Sequence, residues 1–180
     1  LYLAATSYQS GDFAPQIWKT NDFGASWSKI TDGIAVDHFT RVVRADPVAK
    51  GVLYAGTEQG VYVSFDDGAR WQSLQLNLPI TPITDLAVKN GDLIAATQGR
   101  AFWILDDLSP LREWSEPIGR KALHLFAARP AVRFGEGGDG DEGESAPRGV
   151  GQNAPGGAVV YYWLKEFPFQ FSGGMKQRVM

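Results

Sequence analysis

An internal repeat constrains the fold of this chain more than any other feature of its sequence. Three segments of about seven residues align with one another and end at Asp22, Asp66 and Asp107, which are 44 and 41 residues apart. Short apolar runs flank each segment, a pattern that predicts several short strands separated by turns. Four strands repeated every roughly 40–45 residues form a β-propeller blade. The sequence therefore predicts an all-β fold.

The repeat divides the predicted propeller region, residues 1–120, into about three four-stranded blades. One partial blade covers about residues 1–32, one full blade about 36–78 and one degenerate blade about 81–115. Closed propellers have roughly four to eight blades, so we expect part of a propeller whose end blades expose apolar faces. Besides the aligned segments, the predicted strands lie at residues 3–6, 27–30, 40–45, 53–57, 71–76, 83–88 and 93–97.

Two of the aligned segments continue into the motif S/T-x-D-x-G-x-x-W. In such a turn the Asp side chain accepts hydrogen bonds from nearby backbone N–H groups, and Gly adopts a positive φ at low cost. The Trp buries a large apolar surface and anchors the hairpin. The third copy keeps the Asp but has Ser109 and Arg112 in place of Gly and Trp, and we interpret it as degenerate. We predict a structural role for the motif residues Thr20, Asp22, Gly24, Trp27, Ser64, Asp66, Gly68, Trp71 and Asp107.

These motifs resemble the Asp boxes of BNR-repeat proteins, which include sialidases, two-propeller xyloglucanases and the sortilin (Vps10) N-terminal propeller. The run at residues 53–68 is most similar to bacterial exported proteins described as sortilin-N-terminal-like or BNR-type glycosyl hydrolases, and residues 97–107 fit the same group. The resemblance covers about residues 1–134 and 153–166. It implies a propeller followed by a β-sandwich, and a periplasmic or secreted location for the full-length protein.

Two functions fit this resemblance. The first is a non-catalytic scaffold that holds a protein, peptide or glycan ligand at the propeller mouth. The second is a fragment of a secreted glycoside hydrolase whose catalytic residues lie in other blades. Glycosidases place two carboxylates roughly 5–9.5 Å apart across the scissile bond, and sialidases use a Tyr nucleophile. We identify no such pair or cluster and assign no catalytic residue. The candidates for lining the channel are His38, Arg41 and Arg100.

Composition excludes several other functions. The net charge is −3 without a basic stripe, so we expect no nucleic-acid partner. The absence of cysteine excludes disulfides and Cys-based zinc sites. No window approaches the roughly 18 apolar residues of a membrane span. The two histidines are far apart and the acidic run at residues 139–144 does not fit a calcium loop, so we expect neither a metal nor a cofactor.

The C-terminal part departs from the repeat. Residues 121–157 are interpreted as an exit segment and a Gly- and acid-rich linker, which we expect to be disordered over residues 135–157. Residues 158–167 are predicted to hold the first strand of a truncated β-sandwich. The last segment, residues 168–180, resembles the signature motif of ABC-transporter ATPases. No P-loop accompanies that motif, so we expect no ATP binding, a foreign origin for the segment and no packing of residues 172–180 on the blades.

Overall fold

The computed structural model describes residues 1–131 and 157–165, together with the backbone of residues 177–179. Antiparallel strands dominate these residues and the two helices are short, so the prediction of an all-β chain is confirmed. The elements are β1 (Tyr2–Ser7), a 3-10 turn (Tyr8–Ser10), β2 (Asp12–Lys19), β3 (Ser28–Lys29), β4 (Thr40–Ala45), β5 (Leu53–Thr57), β6 (Val61–Ser64), β7 (Gln72–Ser73), β8 (Ile83–Lys89), β9 (Asp92–Thr97), β10 (Phe102–Leu105), α1 (Ser109–Glu113), α2 (Glu116–Gly119), β11 (Leu123–Leu125), β12 (Tyr162–Leu164) and β13 (Gln177–Val179).

The strands form three successive antiparallel sheets and one short ribbon. The first sheet has the order β1-β2-β3, the second β4-β5-β6-β7 and the third β8-β9-β10-β13, while β11 and β12 form the ribbon. The repeat extends to the register, because Val43 pairs with Ala55 in the second sheet as Leu86 pairs with Ala95 in the third. Both first strands carry an irregularity at the same place in this register. The predicted strands at residues 40–45 and 53–57 are confirmed without change.

The sheets pack face to face through two apolar clusters. All residues of β5 and β6 are buried, because the second sheet has a neighbour on each face. This explains why residues 53–64 are apolar on both faces of their strands. One cluster joins the first and second sheets and contains Ile17, Ile34, Val43, Leu53, Ala55, Tyr62 and Trp71. The other joins the second and third sheets and extends to the helices and the ribbon, with Tyr54, Ile83, Leu105, Leu111, Phe126 and Trp163 among its members.

The predicted sandwich strand differs from the structure in length and in surroundings. A strand forms only at Tyr162–Leu164, and it pairs with β11 of the exit segment. Since β11 has three residues, only three residues opposite it gain ladder hydrogen bonds. Tyr161 and Trp163 are buried in the cluster that the second and third sheets share, so this strand packs on the preceding sheets. The predicted disordered linker lies outside the described residues, except Gly157.

The expectation that the last residues do not pack on the sheets is wrong for residues 177–179. These residues form β13, which pairs antiparallel with β10, so that Trp103 lies opposite Val179 and Leu105 opposite Gln177. The physical reason is that α1 follows β10 where the second sheet has its fourth strand. The outer edge of β10 therefore offers unpaired N–H and C=O groups, which attract a further strand. The foreign origin of residues 168–180 stays a hypothesis.

Candidate functional site

The first two motif copies form turns with the same hydrogen bonds. In the first, Thr20 Oγ1 accepts from the Gly24 N–H at 2.9 Å, and Asp22 Oδ1 accepts from the Ser26 N–H at 2.9 Å. The threonine hydroxyl also donates to the Asp22 carboxylate at 2.7 Å. Each polar side chain of this turn therefore satisfies a backbone donor of the same turn.

The second turn repeats this arrangement. Ser64 Oγ accepts from the Gly68 N–H at 2.9 Å, and Asp66 Oδ1 accepts from the Arg70 N–H at 2.8 Å. The glycine of each turn has a positive φ, and so does the residue before it, Asp67 in this copy. The backbone of the turn therefore requires glycine at one position, and a side-chain acceptor at two others stabilises it.

The carboxylate of the first turn is held in its ionised form. The pKa of Asp22 is lowered to about 2, chiefly because the Ser26 hydroxyl donates to it, with smaller effects from the Ser26 N–H and the Thr20 hydroxyl. A general acid needs a pKa near the working pH so that it carries a proton to give. This geometry fits a structural role for the motif aspartate.

The two motif tryptophans have different surroundings. Trp71 is 2% exposed, and its indole Nε1 donates to the Ile30 carbonyl oxygen at 2.8 Å. Its backbone N–H donates to the Asp32 carbonyl at 2.8 Å. Trp27 holds the same place in the first turn and is 38% exposed. The second turn thus attaches its sheet to the chain segment that follows the first sheet, and the first turn has no such partner among the described residues.

The third motif copy does not form this turn. Asp107 Oδ1 accepts from the Ser109 N–H at 3.0 Å, and the chain continues into α1 at that serine. Arg112 stands where the other copies have Trp, and its guanidinium Nε lies 3.0 Å from Asp46 Oδ2. The degenerate copy therefore still links its sheet to the preceding one, through an ion pair in place of an indole.

Asp46 is the buried centre of a polar cluster that sequence reasoning missed. Its side chain is fully buried, accepts from the Val48 and Ala49 N–H groups and receives the Tyr54 hydroxyl at 3.1 Å. Burial alone would raise the pKa of Asp46, but the hydrogen bonds from the two N–H groups and from Arg112 outweigh it and hold the pKa below the usual value. The D-P dipeptide after β4 marks a turn but gives no sign of a partner 66 residues away.

A cleft runs along the first strands of all three sheets and has a volume of about 400 Å³. Its charged groups include Arg44 and Asp85, whose Nη2 and Oδ1 atoms lie 2.6 Å apart and join the second sheet to the third. The guanidinium Nε of Arg44 also donates to the Leu86 carbonyl at 2.9 Å. The lining residues are Tyr2, Leu3 and Ala4 of β1, Arg41, Val42, Val43 and Arg44 of β4, and Thr84 and Asp85 of β8.

Of the three residues predicted to line a channel, the structure places only Arg41 at this cleft. Arg41 Nη2 lies 2.6 Å from Glu58 Oε2, and the guanidinium lies over the rings of Tyr8 and Phe39.

The other two predicted residues lie elsewhere. His38 Nδ1 is hydrogen-bonded to the Tyr62 hydroxyl at 2.8 Å. Arg100 is exposed on the turn before β10, where its carbonyl accepts from the Trp103 indole at 2.8 Å. The prediction could not separate these positions, because their strand neighbours are similar in the sequence.

Neither the family models nor the curated proteins that we compared with this chain match it. Across residues 1–131 and 157–165, no three His, Cys, Asp or Glu side chains come together as metal ligands. Neither described helix has the length and apolar character needed to cross a membrane.

Proposed function

We propose that this chain is part of a β-propeller of Asp-box repeats that acts as a non-catalytic binding scaffold. Three features support the propeller. The second and third sheets share their strand order and register, the sheets pack face to face, and the first strand of each sheet lies along one cleft. In a propeller the innermost strands surround a central channel, and this cleft corresponds to a section of its wall.

The exposed face of the first sheet also supports the propeller. Leu1, which pairs with Thr20 as Leu53 pairs with Ser64, is 77% exposed, whereas Leu53 is 1% exposed. The motif residues show the same contrast, since Trp27 is 38% and Trp71 2% exposed. The first sheet therefore presents to solvent the apolar face that the second sheet buries. A further sheet of the same kind packed there would bury it.

The cleft is the part of this scaffold best suited to hold a ligand, and it is the observation that carries the proposed function. Arg41, Arg44 and Asp85 give it both signs of charge, beside the free edges of three strands. Such a surface offers charged and backbone hydrogen-bonding groups to a peptide, a protein or a glycan. The resemblance to exported BNR-repeat proteins places the scaffold outside the cytoplasm in this proposal.

The alternative, a glycoside hydrolase, receives no specific support from the described residues. The motif carboxylates Asp22 and Asp66 accept hydrogen bonds within their own turns. The acids nearest the cleft arginines, Glu58 and Asp85, are each paired with one of them. We therefore propose binding without catalysis.

Peptide and glycan arrays probed with the 180-residue chain test this proposal. We expect ligands whose binding falls at least about tenfold, or about 1.4 kcal/mol, in Arg41→Met and stays unchanged in the matched control Arg70→Met. Arg70 is exposed and lies on a motif turn away from the cleft lining. Melting curves establish that both variants are folded. Equal losses in both variants, or cleavage of array glycans by the chain, would contradict the proposal.

A further inference from the structure

The first sheet has one strand fewer than the other two, and the missing position is specific. Leu1 pairs with Thr20 as Leu53 pairs with Ser64, and Leu93 with Leu105, so β1, β5 and β9 are equivalent strands. In the other sheets these strands have a neighbour on each side, β4 beside β5 and β8 beside β9. Among the described residues β1 pairs only with β2.

The free edge of β1 carries backbone groups that can form a ladder. The Leu1 backbone exchanges two hydrogen bonds of 3.0 Å with Thr20. Hydrogen-bonded and non-hydrogen-bonded pairs alternate along an antiparallel ladder. The N–H groups of Tyr2 and Ala4 therefore point away from β2, towards the free edge. An edge strand with unpaired N–H and C=O groups is a template for another strand.

The space beside this edge is open. Tyr2, Leu3 and Ala4 form one side of the cleft of about 400 Å³, and residues of β4 and β8 form the rest. The cleft thus lies along the edge where the other sheets have their first strand. Its wall on β4 already carries two guanidinium groups, from Arg41 and Arg44.

We propose that the free edge of β1 is a strand-acceptor site, which binds an extended peptide of the β8 type as a fourth, antiparallel strand. This mode of recognition is β-augmentation, in which main-chain hydrogen bonds hold the peptide. The β8 sequence fits better than that of β4, because Asp85 and Lys89 leave it without net charge, whereas β4 would bring two more arginines to the cleft. The proposal rests on the repeated sheets of the proposed function but not on any ligand of the intact scaffold.

Two arms of one hydrogen-exchange experiment test the site. The first adds a synthetic peptide with the sequence of residues 83–89 to the 180-residue chain. The second grafts residues 83–92 directly before Leu1. In the chain these residues precede Leu93, the equivalent of Leu1, and Asn90 and Gly91 have the positive φ values of a two-residue hairpin turn. The graft therefore supplies the strand in register at a high effective concentration.

The matched control is the same graft with Ala87→Pro. In β8 Lys89 lies opposite Asp92 across the two-residue turn, so alternation makes Ala87 a hydrogen-bonding residue opposite Ile94, the equivalent of Tyr2. Proline removes that N–H.

We expect exchange at the Tyr2 and Ala4 amides to slow at least about tenfold with the graft, and not with its proline variant. Slowing with the free peptide also supports the site, and slowing with the graft alone supports a site of low affinity. Unchanged exchange in both arms, equal slowing with the Ala87→Pro graft, or slowing at other free edges instead of β1 would overturn the proposal. Because this readout needs no array ligand, its failure is distinguishable from a failure of the scaffold proposal.

Discussion

At the scale of single residues, the hydroxyl of each motif turn has more effect on stability than the carboxylate beside it. Ser64 is fully buried and accepts from the buried Gly68 N–H, whereas Asp66 lies exposed at the tip of the same turn. Water can replace the Asp66 carboxylate at the exposed Arg70 N–H, but it cannot reach the Gly68 N–H.

We therefore expect Ser64→Ala to lower the free energy of unfolding by about 1–3 kcal/mol, the cost of a buried donor left unsatisfied. Urea denaturation measures this value. Ser73→Ala, on the exposed side of β7, is the matched control and should change the free energy by less than about 0.5 kcal/mol. Equal values for the two variants would show that the hydroxyl is not needed in the turn.

A second prediction concerns the pH dependence of the Asp46 cluster. The pKa of Asp46 is lower in the folded chain than in the unfolded chain. Its contribution to stability is therefore fully present above the unfolded pKa, near pH 4, and is lost as the pH falls through the folded pKa. We expect Asp46→Asn to destabilise the chain at pH 7, and the difference from the parent to shrink below about pH 4. Urea denaturation at pH 7 and pH 3 measures it, and a difference independent of pH would contradict the ionised state.

The sequence predicts the motif turns and not this cluster, for a physical reason. The residues of the turns lie within eight positions and occur twice, so their local chemistry is visible in the sequence. Arg112 and Asp46 are 66 residues apart and meet once, because their partnership depends on how two sheets pack. Sequence analysis could only mark Arg112 as a departure from the motif.

At the scale of elements, most strands of the first two sheets could be predicted, because alternation and repetition mark them twice. The short helices α1 and α2 were not predicted. Each has four or five residues with a proline in its first turn, too short for apolar periodicity to show. The strand β13 has no signal of its own, since the free edge of β10 determines its position.

The two motif tryptophans give a comparison between equivalent elements. Trp71 anchors the second sheet to Ile30 of the preceding segment and is buried, whereas Trp27 is partly exposed. We expect Trp71→Ala to cost about 3–5 kcal/mol, typical of a buried Trp. Trp27→Ala should cost well under half of that. Thermal unfolding of both variants measures the difference, and similar costs would mean that Trp27 has an equivalent partner in the chain.

At the scale of the whole molecule, the sequence predicts stacked sheets with unmatched apolar ends, but not which faces stay open. The structure shows one open face on the first sheet, with Leu1, Leu3 and Trp27, and a second on the ribbon, where Leu125 and Tyr162 lie opposite each other and exposed. The ribbon face could not be predicted, because β11 and β12 are separated by a long linker and pair only in the folded chain.

These open faces lead to a prediction about the behaviour of the chain in solution. Exposed apolar patches of several hundred Å² are uncommon on monomeric proteins and act as interaction or aggregation surfaces. We expect the 180-residue chain to bind a hydrophobic fluorescent dye and to self-associate with rising concentration, as measured by fluorescence and light scattering. The double variant Leu3→Glu, Trp27→Gln should reduce both signals by removing the first open face, and dye bound at the ribbon should remain. Val48→Glu alters an exposed valine outside both faces and should change neither signal. A monomeric parent chain that binds no dye would show that these faces are covered in solution, and the argument from the first sheet to a further packed sheet would then fail.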